Sequence, residues 1–258
     1  MTTTLYEIPL SPYAQKVKLA LLEKGIEFSI EHPDLDAPAE FLALSPRLEV
    51  PVFVDDAVRL FDSSIILEYI EDRWPARPLL PSSPAERARV RVLEEICDTV
   101  YDAVNWGVAE VVMFKRAEGP QADRLLASAK AQVQGLNALL ERELGDRVWF
   151  NGEHFGYGDI VVYPFVNGAA SLGNKPSPDS KLAQWLKTMR GRPSAARLKA
   201  DILASLSSFA NRPKDVAEGR HRREYRDHRL DWMMRSGGLD IVLDGIEANN
   251  IRFSRDFD

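Results

Sequence analysis

The feature that most restricts how this chain can fold is a change of hydrophobic period across residues 79–84, LLPSSP. Ahead of it, short alternating or continuous apolar runs trade places with segments of helical spacing. Residues 4–8 predict a strand and 12–24 a helix, with Pro12 at a favoured first position and Gly25 as its stop. Residues 26–31 predict a second strand and 39–44 a short helix. Residues 50–54 and 57–61 flank Asp55-Asp56 as a hairpin. Residues 63–74 are amphipathic, with Ile65, Ile66, Tyr69 and Ile70 along one side, until Pro75 and Pro78 close the segment. The order β-α-β-α-β-β-α describes a compact α+β unit. Behind the break every periodic segment is helical: 85–115, 120–144, 159–171, 180–190 and 193–209. The expected organisation is an α+β domain over 1–79, an all-α domain over 85–211 and a C-terminal extension over 212–258.

With 258 residues, either unit can bury a real core. A content of 45% hydrophobic and 28% charged residues suits a folded soluble chain, and a net charge of −6 argues against nonspecific nucleic-acid binding. The single cysteine, Cys97, excludes an intrachain disulfide framework and a cysteine-based zinc site, and suits a reducing compartment. The start, MTTTLYEIPL, has no basic region leading into an apolar stretch, so no secretory signal is evident. No apolar run approaches the roughly 18 residues of a membrane span. The expectation is a cytoplasmic protein with neither membrane nor nucleic acid as partner. His32, His154, His221 and His228 are scattered, and HExxH, paired CxxC and phosphate-loop patterns are lacking, so no metal site is expected.

Three short pieces carry chemistry when taken together. Ser11-Pro12-Tyr13 opens the first helix, Val50-Pro51 lies between apolar runs, and Asp62-Ser63 opens the last helix of the α+β unit. They offer a small anionic peptide a hydroxyl at a helix start, a free strand edge and a second helix start. Each piece also has a plain reading. Val50-Pro51 is an edge turn if the bond is trans, the common state; if it is cis, the Val50 backbone turns outward and an extended peptide can pair with it. Asp62 is either an N-cap or the partner of a ligand ammonium, while Ser63 can hold a carboxylate with its amide and hydroxyl at the positive end of the helix. Ser11 is either a cap or a hydrogen-bond donor that favours a thiolate over a thiol. No base lies near it in sequence, which argues against a serine-hydrolase nucleophile.

These residues resemble the glutathione transferase superfamily. SPYAQKVKLALLEKGIEF is similar to its first helix and second strand, EVPVF to its cis-proline strand entry, and LFDSSIILEYIEDRWP to its glutathione-binding helix. The resemblance covers residues 4–80 and extends more loosely to about Leu198, where GYGDIVVYPFV is similar to the family's capping box before a buried helix. It implies a thioredoxin-like N-terminal domain followed by an all-α C-terminal domain, in a homodimer. It also implies glutathione as co-substrate, with Val50 pairing to the cysteinyl part, Pro51 as the cis proline, Asp62 and Ser63 on the γ-glutamyl head, Ser11 activating the thiol and Tyr13 lining the site. Serine at position 11 rules out a mixed disulfide there, so the implied activity is transfer of an alkyl or aryl group onto glutathione rather than thiol exchange. Lowering a thiol pKa by one or two units raises its thiolate fraction at neutral pH roughly ten-fold or more.

The hydrophobic electrophile would lie against the first long helix of the all-α domain. Tyr101, Trp106, Val108, Met113 and Phe114 are candidate walls, although aromatic residues at helical spacing are more often core. Departures from the family pattern are Asp62 in place of the commoner Glu, Gly156 in place of Ser or Thr at the cap, Glu49 before the Val-Pro pair, and the extension. That extension is strongly basic and predicts a helix ending at Gly237-Gly238, either packed on the body through Leu230, Trp232 and Met233 or serving as a lid or docking surface. A competing functional reading comes from the same fold: the stringent starvation proteins, which bind RNA polymerase, keep similar Val-Pro and Ser-containing segments without transferase activity.

Overall fold

A computed structural model describes residues 3–33, 39–225 and 227–253. The N-terminal part is built on a four-stranded sheet of order β2-β1-β3-β4, with β1 at Thr3–Tyr6, β2 at Ser29–Glu31, β3 at Val52–Asp55 and β4 at Val58–Phe61. β1 pairs parallel to β2 and antiparallel to β3, and β3 pairs antiparallel to β4. Alternation sorts the side chains. Leu5 and Phe53 enter the main core beneath α1 (Pro12–Lys24) and α3 (Ser63–Arg73), while Tyr6, Val52 and Val54 meet Phe41 of the short α2 (Ala39–Leu42) on the other face. α1 begins at the Ser11 cap and stops at Gly25, whose φ of 69° lets its amide reach the Leu21 and Leu22 carbonyls.

The helical part opens with α4 (Pro84–Ile96), a wide π turn (Cys97–Tyr101) and α5 (Asp102–Val112), where the sequence pattern predicted one uninterrupted stretch. α6 (Gly119–Leu144), α7 (Tyr157–Ser171), α8 (Lys181–Arg190) and α9 (Pro193–Phe209) follow. α7 is buried along nearly all its length and packs against α1, α4, α5 and α8. Its start is fixed by Asp159, which accepts from the amides of Gly156 and Phe150 and from the Trp185 indole. The glycine at position 156 has a positive reason. A Cβ there would lie 2.4 Å from the Leu79 carbonyl and 2.2 Å from the Asn151 amide nitrogen.

The extension corrects the single-helix expectation. It forms α10 (Arg212–Ala217), β5 (Arg223–Tyr225), α11 (Asp227–Arg235), α12 (Leu239–Glu247) and β6 (Ile251–Phe253), with β5 and β6 paired in parallel. α11 stops just before Gly237-Gly238, where the basic helix was expected to end, and a separate helix, α12, begins at Leu239. α11 packs on α5, with Trp232 and Met233 buried and Leu230 against the core, as the packed reading of the tail expected. Among the described residues no helix is long and apolar enough to cross a membrane, and no group of three or more His, Cys, Asp or Glu is placed to hold a metal ion.

Candidate functional site

The three sequence pieces meet at one end of the sheet. Tyr6 lies opposite Val52, and Val52 opposite Phe61. The chain therefore leaves β1 toward Ser11, enters β3 from Val50-Pro51 and leaves β4 toward Asp62-Ser63 along the same edge. The Ser11 hydroxyl oxygen accepts from the Ala14 amide at 3.3 Å, which leaves its proton free to be donated. The Val50–Pro51 bond is cis. Among the described residues neither the amide nor the carbonyl of Val50 takes a hydrogen bond.

Asp62 is an N-cap: its carboxylate accepts from the amides of Ser64 at 3.0 Å and Ile65 at 3.4 Å. It sits at φ 75°, ψ 122°, a conformation that costs a non-glycine residue about 1–3 kcal/mol and that tends to mark functional positions. Ser63, the next residue, is buried, and within the described residues its amide and hydroxyl remain without a partner. Two donors at the positive end of a helix are the chemistry that receives a carboxylate.

Tyr13 is drawn into the seam between the two parts of the molecule. Its hydroxyl donates to the Asp98 carbonyl at 2.6 Å, and its ring meets Phe165 edge-on. Asp98 lies within the wide turn. There the Asp102 amide bonds back to the Cys97 carbonyl, one residue further than in an α-helix.

Beside it lies a buried ionic cluster. The Lys16 ammonium reaches Glu94 at 2.8 Å and Asp98 at 2.6 Å. Glu94 also accepts from the hydroxyls of Ser64 at 2.8 Å and Tyr157 at 2.6 Å. Two carboxylates thus share one cation. Burial would lower the Lys16 pKa, but the two acids hold it above its ordinary value. Burial would raise Glu94, but Lys16 and the two hydroxyls bring it below the usual carboxylate range. Asp98 is the acid left over. Burial, reinforced by the Glu94 charge and opposed by Lys16, pushes it up to about 7.

Lys16, Ser64, Glu94 and Asp98 were absent from the sequence-derived site. Glu94 and Asp98 sit four apart on a predicted helix, which places them on one face, but no local pattern tells which lysine 78 positions away that face will meet.

The expected electrophile wall is redistributed. Tyr101 is fully buried and donates to Asn137 on α6 at 2.8 Å, and Val108 is core as well. Trp106 is half-buried beneath the guanidiniums of Arg223 and Arg229, 5.1 and 5.4 Å from its ring centre, and Arg223 also covers Phe114 at 3.8 Å. Met113 is half-buried. Trp106 and Phe114 therefore pack against the extension, and Tyr101 faces the interior because its side of the helix meets α6. A cavity of about 480 Å³ lies at the opposite end of the sheet, beside Thr3, Asp55, Trp74 and Arg77. Another of about 320 Å³ lies between Phe114, Val216 and Ile241. Neither is lined by Ser11, Val50 or Ser63.

Comparison with known proteins shows the family to which both parts of the chain are similar. The family model for the glutathione S-transferase N-terminal domain matches residues 5–78, and the model for the C-terminal domain matches residues 99–188. Glutathione S-transferase U28 of Arabidopsis thaliana is 35% identical over 160 residues, 61% of this chain and 68% of its own. A stringent starvation protein A homolog of Coxiella burnetii is 41% identical over 171 residues, 66% of this chain and 77% of its own. The crystal structure of a glutathione S-transferase from Rhodospirillum rubrum F11 superposes with a TM-score of 0.68 at 27% identity, over 76% of this chain and 91% of that one.

Proposed function

The chain belongs to the glutathione S-transferase superfamily, and from that membership we propose that it binds glutathione and activates its thiolate for attack on a hydrophobic electrophile. The observation that carries this reading is the set of open backbone and hydroxyl groups at one sheet end: the Val50 amide and carbonyl, the Ser63 amide and hydroxyl, and the free Ser11 proton. In this assignment the extended backbone of the tripeptide pairs with Val50 beside Pro51, and the γ-glutamyl carboxylate rests on Ser63. Ser11 donates to the sulfur, stabilising the thiolate. The thiolate then forms a carbon–sulfur bond as the leaving group departs with its electron pair. Asp62 holds the first turn of α3 in place, and its second carboxylate oxygen is open to the neighbouring ammonium. Tyr13 ties the first turn of α1 to the Asp98 carbonyl. Met113, half-buried, is the residue retained from the expected wall. The associations that go with the reading are glutathione, a hydrophobic electrophile and a second copy of the chain.

Millimolar glutathione should raise the melting temperature, since a ligand at about 100 times its Kd adds roughly 2.7 kcal/mol. Ser11→Ala should cut turnover of a model electrophile at least about ten-fold with the fold intact, in line with general magnitudes for a group that stabilises a reacting anion. Unchanged turnover would remove Ser11 from this role.

A second reading, a protein-binding regulator of the stringent starvation kind, is favoured by the 41% identity to that homolog and by the covering of Trp106 and Phe114. Under it, glutathione leaves the melting temperature unmoved, and a pull-down recovers a protein partner through surface residues.

A further inference from the structure

Outside the three site pieces, side-chain donors from three helices converge on the carboxylate of Glu94. Glu94 Oε1 takes the Ser64 hydroxyl and the Lys16 ammonium, both at 2.8 Å, while Oε2 takes the Tyr157 hydroxyl at 2.6 Å. The three donors come from three different helices, α3, α1 and α7, and Glu94 itself is on α4. The carboxylate is almost fully buried. Each donor stands next to something the site needs. Ser64 directly follows Ser63, Lys16 rides on the helix that Ser11 caps, and Tyr157 begins the helix whose start Asp159 locks.

We propose that Glu94 is a positioning residue: through Ser64 and Lys16 it sets the Ser63 donors and the Ser11 hydroxyl at a fixed separation against the helical part of the molecule. The claim rests on the glutathione reading for what the site holds. Glu94 acts through other groups, since its carboxylate is closed off by three donors. Asp98 cannot substitute for it, because the Ser64 hydroxyl is 3.5 Å from Asp98, too far for a comparable bond. The Ser64 side chain is the gentlest place to cut the link, because its amide, held by Asp62, is untouched by removal of the hydroxyl.

The test uses the full chain with Ser64→Ala, the conservative Ser64→Thr, and Glu94→Gln, which keeps the shape and removes the charge. Steady-state kinetics with varied glutathione should show Ser64→Ala raising KM for glutathione about three- to ten-fold with kcat within two-fold. Ser64→Thr should restore most of the loss, and Glu94→Gln should exceed Ser64→Ala. In parallel, hydrogen exchange of peptides spanning residues 62–70 should quicken in Ser64→Ala and Glu94→Gln, with residues 119–144 unchanged. Unaltered exchange across 62–70, or a uniform rise over the whole chain, overturns the proposal. So does a fall in kcat with KM unmoved. If calorimetry finds no glutathione binding by the wild-type chain, the functional reading fails, and the exchange comparison alone then decides whether Glu94 positions α3.

Discussion

The helix that runs from α4 through the wide turn into α5 carries two ionic seams of opposite character. Toward the sheet, Glu94 and Asp98 share the single ammonium of Lys16. Toward the extension, Asp102 holds Arg229 at 3.1 Å, while Glu110 holds both Arg116 at 2.9 Å and Arg223 at 2.7 Å. Among the described residues, the first seam has more acids than bases, and the second more bases than acids. An acid in excess at a buried site keeps its proton to near neutral pH, so the first seam titrates in the physiological range. Guanidiniums stay charged at any such pH, so the second is a permanent clasp. The clasp is also mechanically keyed. Trp106 lies four residues from both Asp102 and Glu110, its ring lies under the arginines those acids hold, and Trp232 fills the notch left by Gly107. The lesson is that one helix can use the same residue types for an adjustable joint beside a candidate site and a fixed joint away from it.

The most severe way to break the contrast is Lys16→Met, which strands the buried Glu94 carboxylate and the part-buried Asp98 carboxylate. A loss of about 3–5 kcal/mol is expected from denaturant unfolding, and a change below about 1 kcal/mol would mean that the sheet-side seam is not the joint described here. Gly107→Leu attacks the other seam, since even a Cβ would lie 2.2 Å from the Trp232 ring. A cost of about 1–3 kcal/mol is expected, with faster proteolysis confined to residues 212–253; cleavage elsewhere at equal rate would refute the keyed clasp. The titration difference is subtler. With its folded pKa raised to about 7, Asp98 binds a proton that the unfolded chain releases near pH 4, so its contribution to stability is present below about pH 4 and declines as pH rises to about 7. Asp98→Asn should therefore gain on the wild type by on the order of 1 kcal/mol between pH 5 and 8. Equal melting temperatures across that range would place the excess proton elsewhere. The smallest effect expected is at Asp62→Ala, roughly 1 kcal/mol from a lost cap. A loss of glutathione binding out of proportion to that change would give Asp62 a ligand contact besides the cap.

Much of the sheet-bearing part was legible in the sequence because its signals are local. Pro12 and Gly25 bound α1, the hairpin turns at Asp56-Ala57, one residue beyond the expected Asp55-Asp56 because Asp55 still pairs with Val58, and the Asp62-Ser63 pair opens α3, all within a few residues of the elements they control. The helical segments were legible for the same reason. The wide turn at residues 97–101 was not, because an i to i+5 bond changes the helical period by less than the pattern can register. The extension misled the reading because its arginines look like a solvated helix face, when the chain breaks into β5 and α11 so that Arg223 and Arg229 can reach acids more than a hundred residues earlier.

At the site, sequence alone selected Ser11, Val50, Pro51, Asp62 and Ser63, since helix starts and a proline-marked strand entry are written in consecutive residues. It also fixed that Lys16, Glu94 and Asp98 would be charged and on helices. Only the packing of α1, α3, α4 and α7 decided that these charges would be buried together, that Glu94 would gather three donors, and that Trp106 would meet the extension. Hydrogen bonding at a helix end depends on neighbours along the chain, whereas the partner of a buried charge depends on which surfaces are brought together, and that is a property of the folded whole.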